Sequence, residues 1–399
     1  MLWPIPMNSG NNKVVFVIGS LNIGGAEKQL SLLATELVKR GWETHLFSLE
    51  GDGPLKAGLQ SAGVHVHAGG YDSVAPRWRK ILLLVNAQWR LLRLAFTVRP
   101  RVMHAFLPLT NFMGALAGRM AGTRIIITSR RGLGTHQDNH RWWPWFDRVA
   151  NYCSTAITAN SQAVIDDTVR RDRVRSSKIC LIYNGLNFPA PRNRASDRRV
   201  VRSSLGLTDN QIALVFVANL LPYKGHHELI AAFAQLHGCY KDLRLFLVGE
   251  DRGIGISLKN LANTLNVGSA IIHLGYRHDV ARLLAGMDLG VLASHEEGCS
   301  NALLEKLAAG LPVVATAVGG NPEILADMPG CVLVSPKDSA GLARGIEKAL
   351  GYGIRPLIDS QRIHSLATKF SVTRMVDSHE LLYLKSNLQQ QPKINESNP

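Results

Sequence analysis

Leu289–Pro312 reads LGVLASHEEGCSNALLEKLAAGLP. Its first five residues, Leu289–Ala293, are apolar or small, as a buried parallel strand requires. Gly298 follows Glu297 and permits a tight turn. Ser300 and Asn301 stand where a helix N-cap belongs, and Gly310 stands at the matching C′ position. The segment therefore reads as a strand, a glycine loop and a helix over Asn301–Ala309. That helix starts at the carboxyl end of a parallel sheet. Backbone N–H groups and the helix dipole there favour an anion such as a diphosphate.

Glu297 lies in the loop and Glu305 on the helix, with seven residues between them. At ~100° per residue, Glu305 is offset from the helix entry. Separate tasks suit the two carboxylates better than a shared acid/base dyad. Such separated carboxylates can each accept from hydroxyl groups, one from a sugar and the other from a ribose beside a phosphate.

The same alternation extends outward in both directions. Ile212–Val217, Leu243–Val248, Ala270–Leu274 and Val313–Ala315 read as strands. His227–Leu236, Ser257–Leu265, Val280–Ala285 and Ser339–Leu350 read as helices between or after them. The amino-terminal half does likewise, with strands at Val14–Ile18, Thr44–Leu49, Val102–Phe106, Ile125–Thr128, Ala156–Ala159 and Ile179–Ile182. Strands alternating with helices predict parallel sheets covered on both faces. The fold class is α/β, with two Rossmann-like doubly wound domains facing a central cleft. Their expected extents are 1–189 and 200–369, with a Pro- and charge-rich linker over 190–199. A helix over 370–388 follows, and the polar residues 389–399 read as a disordered tail.

Two further loops carry chemistry. Ala218–His226, ANLLPYKGH, follows the strand Ile212–Val217 and puts Lys224 at a loop–helix junction. A lysine there reaches a phosphate held at a neighbouring helix N-terminus. Ser20–Lys28, SLNIGGAEK, sets Gly24 and Gly25 before a helix, so that backbone N–H groups can face a ligand. It has neither the G-x-G-x-x-G spacing nor a Walker lysine.

Composition narrows the class. A 46% hydrophobic, 19% charged chain of 399 residues folds, and at roughly 100–200 residues per domain it holds two. Five cysteines without a Cys-x-x-Cys pair speak against a disulfide framework or structural zinc and for a reducing compartment. Met1–Gly10 shows no signal-peptide pattern, and no run reaches the ~18 apolar residues of a membrane span. A cytoplasmic protein is expected, with a peripheral place on the inner face of the membrane. The net charge of +15 is uneven: residues 1–189 hold 23 Lys and Arg against 11 Asp and Glu, the remainder 22 against 19. A half carrying +12 attracts anionic lipid, nucleic acid or a lipid-linked diphosphate. Its basic, tryptophan-bearing stretch Arg77–Arg101 and the run His140–Trp145 suit an anionic bilayer surface.

The three loops, in this order and spacing, resemble glycosyltransferase family 4 with the GT-B fold. Tyr183–Asn187, Leu274–Val280 and Leu311–Glu323 add to the likeness, which runs from about Val14 to about Lys385. The resemblance implies a retaining transferase that uses a nucleoside-diphosphate sugar and needs no metal or other cofactor. It implies that Lys224 neutralises the diphosphate, Glu305 binds the ribose and Glu297 holds the transferred sugar. Gly298, Cys299, Ser300 and Asn301 would meet phosphate or sugar, Tyr276 and Arg277 would lie near the base, and Gly24 and Gly25 would close the site. The C-terminal helix would cross back onto the first domain, and the acceptor would be a saccharide or lipid-linked saccharide. An Asp-x-Asp metal motif is absent from the sequence.

Two positions depart from the family pattern. Asn219 stands where an arginine is common, and Ser129-Arg130-Arg131-Gly132 stands where a histidine is common. Arg130 and Arg131 are thus candidates to approach donor or acceptor. His104, at a strand end, is a cleft candidate or a satisfied core histidine. Rival classes are a nucleotide-dependent oxidoreductase using Glu50, a basic nucleic-acid-binding protein, and a sugar phosphorylase or epimerase. The first lacks its glycine spacing and the second any reading module, so no nucleic-acid partner is expected.

Overall fold

The computed structural model describes residues 12–139, 141–188, 194–353 and 358–385. The chain divides into two compact units. One runs to Gly185 and resumes at Val372; the other is Leu186–Ser371. Helix Val372–Leu384 belongs to the first unit, where Val372, Met375, Val376 and Tyr383 enter its core. Helix Arg194–Ser204 occupies much of the stretch read as a linker, because Val201 packs into the second unit and Arg202 clamps Asp288 there. The expected tail lies outside the described residues.

The first unit has strands β1 (Lys13–Ile18), β2 (Glu43–Ser48), β3 (His65–Ala68), β4 (Val102–Phe106), β5 (Ile125–Arg130), β6 (Ala156–Ala159) and β7 (Ile179–Leu181). They form one sheet in the order β3-β2-β1-β4-β5-β6-β7, and every pairing is parallel. Phe16, Leu30 and Leu46 pack on one face, and Val17, Met103 and Leu91 on the other. Near-continuous apolar strands such as Val14–Ile18 follow from this double coverage.

The second unit has strands β8 (Ile212–Val217), β9 (Leu243–Val248), β10 (Ile271–Gly275), β11 (Leu289–Leu292), β12 (Val313–Thr316) and β13 (Val332–Val334). Their order is β10-β9-β8-β11-β12-β13, again all parallel. Leu214, Phe216 and Phe233 fill one face, and Val215, Phe246 and Leu284 the other. Each unit is doubly wound, as expected. Strand order reverses between β1 and β4 and between β8 and β11. Ligands of such sheets bind outside the carboxyl ends of the strands that flank that reversal.

Cys153, Cys180 and Cys299 are buried, whereas Cys239 is exposed. One sequence expectation fails: the 22-residue helix Arg77–Val98 is long and apolar enough, by length and composition, to cross a bilayer.

Candidate functional site

In the second unit, the loops after β8 and β11 leave the sheet side by side, because those strands are hydrogen-bonded neighbours. The first carries Lys224 and the second Glu297. The Lys224 ammonium lies 2.7 Å from Glu297 Oε1, with both side chains largely buried. Ser294 Oγ donates to the same oxygen at 2.7 Å. Burial works against the lysine's charge, but the Glu297 carboxylate, together with Tyr223 and Glu296, offsets it, and the pKa stands above the ordinary lysine value. The pair therefore presents a fixed cation, and the carboxylate is held on two sides.

Close backbone packing builds this arrangement. Gly225, at φ +77°, lets the turn after Lys224 press against Ala293 at the end of β11. Any Cβ there would collide with the Ala293 carbonyl. Gly319, at φ +52°, likewise abuts the Glu297 carbonyl, and Gly320 N–H donates to Gly298 O at 2.7 Å. Only glycine meets both demands at such a position.

Helix Asn301–Ala308 begins next to the pair. Its N-cap, Ser300, accepts from Leu303 N–H at 3.3 Å, and Gly310 follows at φ +66°. Glu305 is half-buried on this helix. Cys299 and Ser300 are buried at the helix entry, and Asn301 is its first residue. Asn219 Oδ1 accepts from Glu250 N–H at 3.1 Å, tying the loops after β8 and β9 together. Tyr276 and Arg277 follow β10, at the sheet edge. Tyr276 is exposed and faces His278, and Arg277 forms a two-pronged bridge to Asp279 at 2.7 and 2.8 Å.

The structure separates the first-unit candidates. Gly24 caps helix Gly25–Lys39 at the carboxyl end of β1. Arg131 stands at the corresponding end of β5, donating to Asn184 Oδ1 at 2.6 Å. Arg130 does not reach the surface there. It is buried between Asp147 at 2.9 Å and Asp172 at 3.0 Å, so its charge is already spent inside the unit. His104 is also a core residue, with Nδ1 2.6 Å from Tyr383 Oη and Nε2 2.8 Å from Ser129 Oγ. Burial drives its pKa well down, which leaves it neutral. Among the described residues, no group of three or more His, Cys, Asp or Glu is placed to hold a metal ion.

Sequence reading missed several participants. Ser294 bonds Glu297, and His295 lies 2.9 Å from Glu228. Glu27 crowds Gly24 in the first turn of its helix; burial raises its pKa, and its own backbone N–H and Arg131 oppose the rise. Lys306 follows Glu305, and its stem lies against Gly290 of β11. Gly290 was the available signal, since a glycine inside a buried strand marks a close approach.

Comparison with known proteins bears on the family and the fold. The model of Glycosyltransferase Family 4 matches residues 23–188, and that of Glycosyl transferases group 1 matches residues 211–351. The chain is 26% identical over 276 residues to N-acetyl-alpha-D-glucosaminyl L-malate synthase of Bacillus anthracis, covering 67% of this chain and 70% of that protein. It is 21% identical over 291 residues to the UDP-Gal:alpha-D-GlcNAc-diphosphoundecaprenol alpha-1,3-galactosyltransferase of Escherichia coli, covering 71% and 75%. Its fold matches that of Anabaena Alr3699/HepE, solved in complex with UDP-glucose, with a TM-score of 0.77 at 24% identity over 93% of this chain and 99% of that one. Two family models in tandem over most of the chain, each on its own doubly wound sheet, identify the protein as an enzyme of sugar transfer: it belongs to the two-domain glycosyltransferases of family 4 and group 1.

Proposed function

We propose that the enzyme moves a sugar from a nucleoside-diphosphate donor to a saccharide or lipid-linked acceptor, with retention at the anomeric carbon and without a metal. The product enters an envelope or extracellular polysaccharide, or a lipopolysaccharide, assembled at the cytoplasmic face of the membrane. One observation carries this reading: Lys224, Glu297 and the start of helix Asn301–Ala308 meet at the carboxyl ends of β8 and β11.

Departure of a nucleoside diphosphate builds negative charge on the leaving phosphate. Lys224 and the N–H groups at that helix start are fixed in place before the charge develops, which is how preorganised sites lower such barriers. Glu297 steadies Lys224 and, on the reading given by the family likeness, accepts from hydroxyls of the donor sugar. Glu305 accepts from the ribose. The acceptor oxygen bonds to the anomeric carbon as the phosphate oxygen leaves, and the hydroxyl proton passes to the departing diphosphate. The names of relatives support the donor and acceptor classes. The Escherichia coli protein is named for a UDP-galactose donor and a diphosphoundecaprenol-linked acceptor, and the Anabaena protein is solved with UDP and with UDP-glucose.

Melting scans with UDP, GDP, ADP and dTDP test the donor site. A nucleotide at ~100 times its Kd stabilises by ~2.7 kcal/mol. One of the four is expected to raise Tm, and Lys224→Ala and Glu305→Ala are expected to abolish the rise. A folded protein that none of the four stabilises would sink the assignment. Once donor and acceptor are known, turnover undiminished by EDTA and an α-linked product from an α-linked donor are the expected outcomes.

A further inference from the structure

One face of the first unit is covered by three helices, Arg77–Val98, Pro108–Met120 and Trp143–Cys153. They pack on the same side of its sheet, through the clusters around Met103 and Ala105 and around Ile126. Helix Arg77–Val98 buries Ala87, Leu91, Leu92 and Ala95 beneath it. Its outer side is apolar as well: Trp78, Ile81, Leu82, Val85, Trp89 and Phe96 are each more than half exposed. At ~100° per residue these six span an arc of roughly 100°. Arg79, Arg90 and Arg93, all exposed, fill the adjoining arc. The helix thus has a buried stripe, an exposed apolar stripe and an exposed basic stripe.

The surroundings match. Trp142 and Trp145 are exposed at the start of helix Trp143–Cys153, with Arg141 stacked on Trp142 and Arg148 exposed nearby. Trp145 lies 5.9 Å from Phe112, on the helix between the other two. The single acidic residue of the three helices is Asp147, which is buried and neutralised by Arg130. An exposed apolar stripe of this size is unusual on a soluble surface. Tryptophans beside arginines, without an opposing acid, fit a layer of anionic headgroups over acyl chains.

We propose that this face docks the enzyme on an anionic bilayer surface, with helix Arg77–Val98 lying flat in the headgroup region. Length and composition would let the helix span a bilayer, but its inner stripe is part of the unit's core. Leaving the sheet would expose Leu91 and Ala95 and the strands beneath them. The inference rests on the first unit alone and does not depend on the donor chemistry.

The test is co-sedimentation of the full chain with neutral phosphatidylcholine vesicles and with vesicles containing ~30 mol% phosphatidylglycerol, at ~0.05 M and ~0.5 M salt. Binding is expected to anionic vesicles at low salt, to weaken at high salt, and to be absent from neutral vesicles. The triple variant Arg79→Ala, Arg90→Ala, Arg93→Ala is expected to weaken it on the order of 100-fold. The triple variant Leu82→Ser, Val85→Ser, Trp89→Ser should abolish the tryptophan blue shift and quenching by bromine-labelled lipid. Both sets are on the surface, and an unchanged melting curve confirms an intact fold. Equal recovery with neutral and anionic vesicles, or binding indifferent to both variants, would overturn the proposal. So would concentration-dependent dimerisation that quenches the same tryptophans without lipid, which would assign the face to a second copy of the chain.

Discussion

Lys306 is fully buried, and its ammonium finds no hydrogen-bond partner among the described residues. Burial pulls its pKa from 10.5 down to about 8, against the pull of Glu305 and Glu297. Between those two values the unfolded chain holds a proton that the folded chain has released. Stability attributable to this residue therefore rises with pH across that window, and the folded state bears the full cost below it. Lys306→Met is expected to raise stability at pH 7 by on the order of 3 kcal/mol, with the advantage shrinking as the pH climbs through 8 toward 10.5. Chemical denaturation of both proteins at several pH values measures it; a difference independent of pH would refute the charge argument. Neighbouring arginines offer a second contrast. Arg130→Ala leaves Asp147 and Asp172 buried without their cation and is expected to cost ~3–5 kcal/mol. Arg131→Ala, at a half-buried position, is expected to cost far less, and the two melting curves will show the gap.

At the scale of elements, the donor-site loops are held by backbone contact as much as by side chains. Gly319→Ala forces a Cβ into the Glu297 carbonyl at a left-handed φ. It is expected to weaken nucleotide binding more than it lowers Tm, because the loop bearing Glu297 shifts while the sheet remains. Calorimetric titration beside a melting scan separates the two effects. Ser300→Ala removes the N-cap bond to Leu303 and is expected to cost ~1 kcal/mol of stability.

For the whole molecule, the chain order and the folding units differ. Helix Val372–Leu384 is last in sequence yet completes the first unit. Tyr383 bonds His104, and Arg40 bridges both Asp377 and Glu380 at 2.7 Å. A chain ended at Ser371 loses five buried apolar side chains, Val372, Met375, Val376, Leu382 and Tyr383, worth ~1.5–3 kcal/mol each, comparable to the ~5–15 kcal/mol that holds a domain together. The first unit of that truncated chain is expected to be largely unfolded. Residues 186–371 expressed alone are expected to fold and to keep a nucleotide-dependent rise in Tm. Circular dichroism and the same four-nucleotide scan check both statements.

The α/β class, most strands and the helix Asn301–Ala308 were legible in sequence because they rest on local periodicity and capping. Val14–Ile18 is apolar throughout, and Ser300 and Gly310 bracket their helix as expected. Short edge strands escaped notice, since both are only partly covered: His65–Ala68 has histidines between its apolar residues, and Val332–Val334, though apolar, is three residues long. Side-chain partners escaped for a different reason. Lys224 and Glu297 are 73 positions apart and meet only because β8 and β11 are neighbours across the reversal in strand order. Arg130 and Arg131 are adjacent in sequence, yet strand geometry sends their side chains to opposite faces: one meets two buried aspartates, the other Asn184. Local pattern thus determined which elements form and which residue types stand at their ends, because those depend on neighbours along the chain. Which charge is spent in the core and which is held at the sheet's edge depends on neighbours in space, and that only the tertiary structure decided.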